Sequence, residues 1–224
     1  MHEVRPRQLV VVTGTATEVG KTWVTAQLCS RARAAGISVA ARKPAQSFEP
    51  GDVEAGVTDA QVLAAATGSD PADVCPAHRW YPVAMAPPMA AEVLGRPTVT
   101  IADLLEELRW PDPAPALGFV ETAGGVRSPL AVDGDTIDVI ERLTPDRVVL
   151  VADAGLGTIN SVLLSLEALH HRIEDDGIEV LLNRFDATDD LHRRNHAWLT
   201  DRLGRRVHHD PTTLSNAVTS TFAP

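Results

Sequence analysis

Residues 8–22 read QLVVVTGTATEVGKT. An apolar run gives way to a glycine-rich turn, and a helix is expected from Gly20-Lys21-Thr22 onward. Such a turn gathers backbone N–H groups into one concavity, with the positive end of a helix behind them. Lys21 can reach the outer phosphates of a nucleotide, and Thr22 can offer its hydroxyl to Mg²⁺. The usual phosphate loop has four residues between its first Gly and its Gly-Lys pair. Here five residues, Thr15 to Val19, separate Gly14 from Gly20. The bland alternative is a tight strand–helix turn, but strand, turn, lysine and hydroxyl all follow in the order that nucleotide binding needs.

The chain has 224 residues, of which 44% are apolar, enough for one sizeable core and read as one domain over residues 1–224. A net charge of -10 opposes a polyanionic partner, so nucleic acid is not expected. Trp80, Trp110, Trp198 and Tyr81 show no clustering with basic residues that would suggest a stacking platform. Cys29 and Cys75 belong to no metal or redox pattern, which suits a reducing cytoplasm. No apolar run reaches the length of a membrane span, and MHEVRPRQ at the start does not read as a signal peptide. His208-His209-Asp210 is expected on the surface, and Met85 and Met89 in a core or lining a pocket.

Five apolar segments read as buried strands: 9–13, 38–42, 117–121, 147–152 and 179–182. They lack strict alternation, as strands covered on both faces do. Helical patterns at 21–35, 57–67, 86–94, 101–108, 136–143, 158–171 and 191–203 lie between or after them. Gly36 is a natural stop for the first, and Asp135 a natural cap for the fifth. Strands alternating with helices predict an α/β, P-loop NTPase-like three-layer fold around a mostly parallel sheet.

In such a sheet the ligand crevice lies at the carboxyl ends of the strands, and polar residues collect there. Lys43 follows the second strand and points toward the same crevice as Lys21, where two cations would offset charge during phosphoryl transfer. Glu121 ends the third strand, and Gly124-Gly125 follow with bare N–H groups. A carboxylate beside Thr22 suits Mg²⁺, which prefers oxygen ligands. Asp59 is the second acidic candidate, with service to a helix N-terminus as its alternative. Asp153 ends the fourth strand, where it can hydrogen-bond in the sheet edge or cap the turn, and GLGT supplies another flexible loop. Asn183 follows the fifth strand, placed to read a base edge or to form a turn.

Taken together, GTATEVGKT, KPAQS, TDAQ, AMAPPMAAE, VETAGGVRSPL, ADAGLGTINSVLLSLEAL and LLNRF resemble the dethiobiotin synthetase family, collinearly from about Val10 to Leu203. The resemblance implies a homodimer that uses ATP and Mg²⁺ to close a ring from 7,8-diaminononanoate and CO₂. It assigns catalysis to Lys21, Lys43 and Thr17, and nucleotide binding to Glu18, Val19, Gly20, Lys21, Thr22 and Asn183. It assigns Mg²⁺ to Thr22, Asp59 and Glu121. The substrate would meet Ser47, Gly124, Gly125, Gly155, Leu156 and Asn160, the last three receiving its tail carboxylate across the dimer interface.

The sequence departs from the family pattern at three places. Ala16 stands where the family has Asp, Phe48 where KPxxxG ends in Gly, and Thr122 where EGAGG has its first Gly. Two other readings follow from these and from the fold class. One is a paralogous ATP-dependent ligase with another substrate. The other is a nucleotide-switched dimeric protein that is not an enzyme.

Overall fold

The computed structural model describes residues 4–170, 173, 177–204 and 207–222. Its principal sheet has six strands, all parallel: β1 (Gln8–Gly14), β2 (Val39–Arg42), β3 (Leu117–Glu121), β4 (Arg147–Asp153), β5 (Ile178–Asn183) and β6 (Val207–His208). Their spatial order is β6-β5-β4-β1-β3-β2. Central β1 therefore pairs with β3 on one side, with Val12 opposite Glu121, and with β4 on the other, with Gly14 opposite Val151. The connections leave β1 in opposite directions, which opens a crevice at its carboxyl end. The phosphate loop begins there.

All seven residues of β1 are buried, because successive side chains serve opposite layers. Val10 and Val12 join one cluster with Val24 and Leu28 of helix α1 (Lys21–Ala34), Ala60 and Leu63 of α2 (Asp59–Thr67), and Leu214 and Val218 of a helix at the C-terminal end. Leu9 and Val11 join the other. Its helical partners include Ile137 and Ile140 of α5 (Thr136–Leu143), Val162 and Leu166 of α6 (Thr158–His170), and Leu199 of α7 (Asp190–Leu203). The result is helix, sheet, helix in three layers. A third cluster sits under the long excursion between β2 and β3. There Tyr81 packs with Ala90 of α3 (Pro87–Val93) and with Ile101 and Leu104 of α4 (Ile101–Glu106).

Local chemistry sets the helix starts. Prolines at the head of α3 supply the helical φ where an N–H has no intrahelical partner anyway. Thr58 and Gln61 form a capping box on α2, so the helix begins at Asp59 and not at Val57. The cap is thus filled by Thr58, and Asp59 is left for other work. Helix α1 stops at Ala34, and Gly36 takes φ +77° as expected of the stop. Of the expected helix 158–171, α6 accounts for Thr158–His170, and His171 lies outside the described residues.

Some expectations are corrected. His208 is not at the surface: it is 2% exposed, because β6 lays it between Thr213 and Glu179, each within hydrogen-bond distance of a ring nitrogen. Met89 is 54% exposed and so fills neither core nor pocket. Two of the aromatic residues do meet basic ones. Arg42 lies over Trp110 at 5.3 Å and Arg96 over Tyr81 at 5.2 Å, each as a single packed pair. Helix α8 (Pro211–Thr219), capped by Asp210, has no counterpart among the helical patterns of the sequence. Among the described residues, no helix is long and apolar enough to cross a membrane.

Asp135 caps α5 by accepting from the backbone of Ile137 at 2.7 Å, while Asp138 returns a bond to the backbone N–H of Asp135 at 2.8 Å. Asp135→Ala is expected to cost about 1–2 kcal/mol of stability. Urea unfolding followed by circular dichroism checks this, and an unchanged midpoint would show that the cap contributes nothing.

Candidate active site

The phosphate loop is held from three sides. Val19 is buried among the residues of the first core layer. Asn183, at the end of β5, donates its amide Nδ2 to the Val19 carbonyl at 2.9 Å. Arg184 donates to the Glu18 carbonyl at 2.8 Å. Gly20 then takes φ +89°, and a Cβ there would lie 2.1 Å from Asn183 Nδ2. Only glycine lets the loop turn into α1 at that point. Gly125 is also closely packed, since a Cβ on it would lie 3.1 Å from the Thr15 carbonyl oxygen and the loop would have to shift slightly.

A buried ionic cluster lies beside the loop. Glu121 has no solvent exposure. Its Oε1 accepts from Thr22 Oγ1 at 2.7 Å and from Lys43 Nζ at 2.8 Å, and its Oε2 accepts from Thr25 Oγ1 at 2.7 Å. Lys43 also meets Asp59 Oδ2 at 2.6 Å. Lys21 Nζ donates to the Ala16 carbonyl at 3.0 Å. Two lysines thus face two carboxylates, and the cluster is close to neutral as a unit.

The charges tune one another. Burial draws the Lys21 pKa down to about 8, and the neighbouring Lys43 ammonium adds to the effect. Burial would also lower Lys43, but the Asp59 and Glu121 carboxylates outweigh it and hold that ammonium above its ordinary value. Burial pushes Asp59 upward, and Lys43 in contact reverses this, leaving its carboxyl below the usual range. Lys43 stays charged, while Lys21 is the cation nearer to its titration point.

Thr22 Oγ1 lies 2.7 Å from Asp59 Oδ1 as well as 2.7 Å from Glu121 Oε1. A hydroxyl has one proton, so it can satisfy only one of these carboxylates at a time. Three hard oxygens converging in this way fit a divalent cation such as Mg²⁺, with phosphate and water oxygens completing its shell.

A cleft of about 910 Å³ runs from the loop outward. It is lined by Thr17, Glu18, Gly20, Lys21, Thr22, Lys43, Ser47, Asp59 and Gly124, so most of the residues expected at the site share one space. Beyond Ser47 its wall is mixed, with Phe48, Val57, Met85 and Pro87 beside the Glu49 and Asp52 carboxylates. A second cavity of about 490 Å³ adjoins the other side of Gly20, walled by Trp23, Asn183, Phe185 and Pro211. Gly155, Leu156 and Asn160 line neither. Leu156 is 92% exposed at the head of α6, and the Gly155 N–H bonds to Asp153, which caps its turn.

Three contributors were not foreseen. Thr25 touches Glu121 from one turn beyond Thr22, a helical spacing that was available as a signal. Ser128 lines the cleft and accepts from the Gly125 N–H at 2.8 Å. Arg184 borders both cavities, and although it lies within LLNRF only Asn183 of that motif carries an expected role.

Residues 8–207 match the family described as an AAA domain. Among solved structures, the signal recognition particle receptor FtsY from Elizabethkingia anophelis in complex with GDP aligns with a TM-score of 0.51 and 14% identity, over 96% of this chain and 64% of that one. The signal recognition particle 54 kDa protein from Aeropyrum pernix aligns with a TM-score of 0.50 and 18% identity, over 99% of this chain and 48% of that one. This chain therefore spans less than two thirds of either, and the likeness establishes a P-loop NTPase-like fold alone. Curated relatives named ATP-dependent dethiobiotin synthetase BioD are closer. The one from Rhodococcus jostii is 41% identical, over 72% of this chain and 67% of its own. That from Haloferax mediterranei is 37% identical over 89% and 82%, and that from Anaeromyxobacter dehalogenans 37% over 91% and 87%. With more than a third of residues identical across most of both chains in each case, this chain belongs to the ATP-dependent dethiobiotin synthetase family.

Proposed function

We propose that this protein is an ATP- and Mg²⁺-dependent cyclo-ligase that converts 7,8-diaminononanoate and CO₂ to dethiobiotin in biotin biosynthesis. The observation that carries this reading is the union, in one cleft, of a phosphate loop, two buried lysines and an acceptor lobe that mixes apolar side chains with the Glu49 and Asp52 carboxylates. An aliphatic diamine suits that lobe, and a triphosphate suits the loop.

The reaction needs no covalent nucleophile from the protein. One amine of the diamine adds to CO₂ and loses a proton, giving a carbamate. A carbamate oxygen attacks the γ-phosphorus as ADP leaves, forming a carbamic–phosphoric anhydride. The second amine attacks the carbamoyl carbon, phosphate departs, and the cyclic urea closes. Lys43, kept charged by its carboxylates, is positioned to stabilise the carbamate and the phosphoryl group in transit. Lys21 and the loop amides hold the phosphates, and Thr17 borders the same space. Mg²⁺ held by Thr22, Asp59 and Glu121 would offset phosphate charge. Ser47 and Gly124 border the acceptor lobe, and their task is to fix the diamine so that both amines meet the same carbon in turn. A homodimer acting in the cytoplasm completes the reading. In it the segment from Gly155 to Asn160, exposed at Leu156, Gly157 and Asn160, serves the partner's substrate carboxylate, which accounts for its absence from the linings of this chain's own cavities.

Product analysis after mixing with ATP, Mg²⁺, bicarbonate and 7,8-diaminononanoate tests the reading directly. Dethiobiotin is expected, and ATP turnover without ring-closed product would favour a ligase acting on another acceptor.

Lys21→Ala is expected to lower ATP turnover by at least about a hundredfold with an unchanged circular dichroism spectrum. Turnover at the wild-type level would remove Lys21 from the phosphate site. Glu121→Gln should weaken Mg²⁺-dependent turnover more than Asp59→Asn, because the Glu121 side chain is 0% exposed and Asp59's is 35%. Mg²⁺ titrations at fixed ATP read this order, and the reverse order would assign the tighter metal contact to Asp59. Ala16→Asp should speed single-turnover dethiobiotin formation by adding a carboxylate to the metal and water shell. An equal or slower rate would show that Ala16 costs the site nothing.

A further inference from the structure

We infer that Phe48 is the specificity-determining residue of the acceptor lobe, setting the length and girth of the aliphatic chain that the site admits. This inference rests on the cyclo-ligase reading above and deepens it.

Phe48 is half-buried and lines the cleft one residue beyond Ser47. Its backbone is fixed, since Gln46 and Ser47 pair in parallel with Trp80 and Tyr81, and the Phe48 N–H donates to the Tyr81 carbonyl at 3.1 Å. Its ring is braced by Trp80 in an edge-to-face contact with centroids 6.1 Å apart and planes at 89°. Trp80 is itself tied down by its indole N–H, which donates to the Cys75 carbonyl at 2.8 Å. The ring is therefore held at both ends, by the ladder and by the indole. Other apolar wall residues differ in kind. Met85 is unbranched and 39% exposed, so it can yield to a ligand, whereas Val57 and the buried Pro87 are stiff but smaller than a phenyl ring. Of the stiff side chains in that wall the phenyl ring is the largest, so it takes the most space from an aliphatic ligand.

Phe48 is the largest of the apolar residues that line the cleft. A glycine there would leave open the space that the ring now fills. The structure accepts the ring without a positive φ at Phe48, so nothing in the backbone forces the residue to be small. The lobe of this chain is narrower at that point than a glycine would make it.

Equilibrium binding by calorimetry, in the presence of a non-hydrolysable ATP analogue and Mg²⁺, tests the inference without requiring turnover. The ligands are 7,8-diaminononanoate and its homologues one methylene shorter and one longer. Wild type is expected to prefer one length by about tenfold or more, the range of a single methylene in an apolar pocket. Phe48→Ala should bind the analogue itself unchanged, weaken the preferred diamine, and shift the preference toward the longer homologue by about tenfold. Phe48→Leu keeps an apolar brace on Trp80 and should lie between the two. The same length profile in Phe48→Ala, Phe48→Leu and wild type, together with intact analogue binding, would overturn the role of Phe48 while leaving the cyclo-ligase reading in place. Failure of wild type to bind any of the diamines would overturn that reading, and the inference with it.

Discussion

Glu121 carries a carboxylate with no access to water, and three other elements converge on it. A buried carboxylate without partners costs several kcal/mol. Here Thr22 and Thr25 come from α1, and Lys43 from the segment after β2. Asp59, from the head of α2, closes the group by sharing Lys43 and Thr22. The cluster therefore fixes the carboxyl end of the sheet against two helices. The same atoms form the candidate catalytic centre, so the stability of that edge and the geometry of the chemistry are one problem. Its near-neutral charge matters as well. A triphosphate with a divalent cation can enter beside it without meeting a large uncompensated field, although the chain as a whole carries -10.

The extended phosphate loop needs support that its own length does not supply. Glu18 has φ 60° and Arg184 has φ 56°, both left-handed conformations unfavourable for residues with a Cβ. Each costs on the order of 1–2 kcal/mol. The two strained residues are joined by the bond from the Arg184 guanidinium to the Glu18 carbonyl, and Asn183 bonds the next carbonyl along. The end of β5 thus acts as a prop for the loop. Amides aligned in this way before a nucleotide arrives need little reorganisation afterwards, which is the condition for strong electrostatic stabilisation.

The sheet was legible in the sequence because its strands are long, apolar and buried on both faces. The boundaries moved only slightly. Ser38–Arg42 became Val39–Arg42, and Glu179–Leu182 grew to Ile178–Asn183. What escaped is what periodicity cannot carry. Val207–His208 is too short for a pattern, and its histidine reads as polar until the fold gives it Glu179 and Thr213. The ladder of Gln46–Ser47 with Trp80–Tyr81 joins segments more than thirty residues apart through two residues each. Helix α8 did have a local signal, Asp210 followed by Pro211, which is the N-cap and N1 chemistry that the other helices use. At the site, residues at strand ends were found by position. Thr25, Ser128 and Arg184 act through contacts that only the folded chain creates.

The three departures from the family pattern have unlike physical fates. Thr122 is absorbed by the fold: it is fully buried, and its N–H donates to the Val12 carbonyl at 3.0 Å, so its extra atoms end in the sheet. Ala16 sits in the loop with its carbonyl accepting from Lys21, a bond that a side chain at that position need not disturb. Phe48 alone puts its added bulk into the cleft. The departures therefore divide along the cleft itself. Phosphate-side contacts are made largely by backbone groups and by the ionic cluster, which tolerate small changes in neighbouring side chains. Acceptor-side contacts are made by side-chain surfaces, where one ring changes the volume directly. A chain of this fold can keep its phosphate chemistry fixed while the acceptor lobe is reshaped, because the two depend on different parts of the polypeptide.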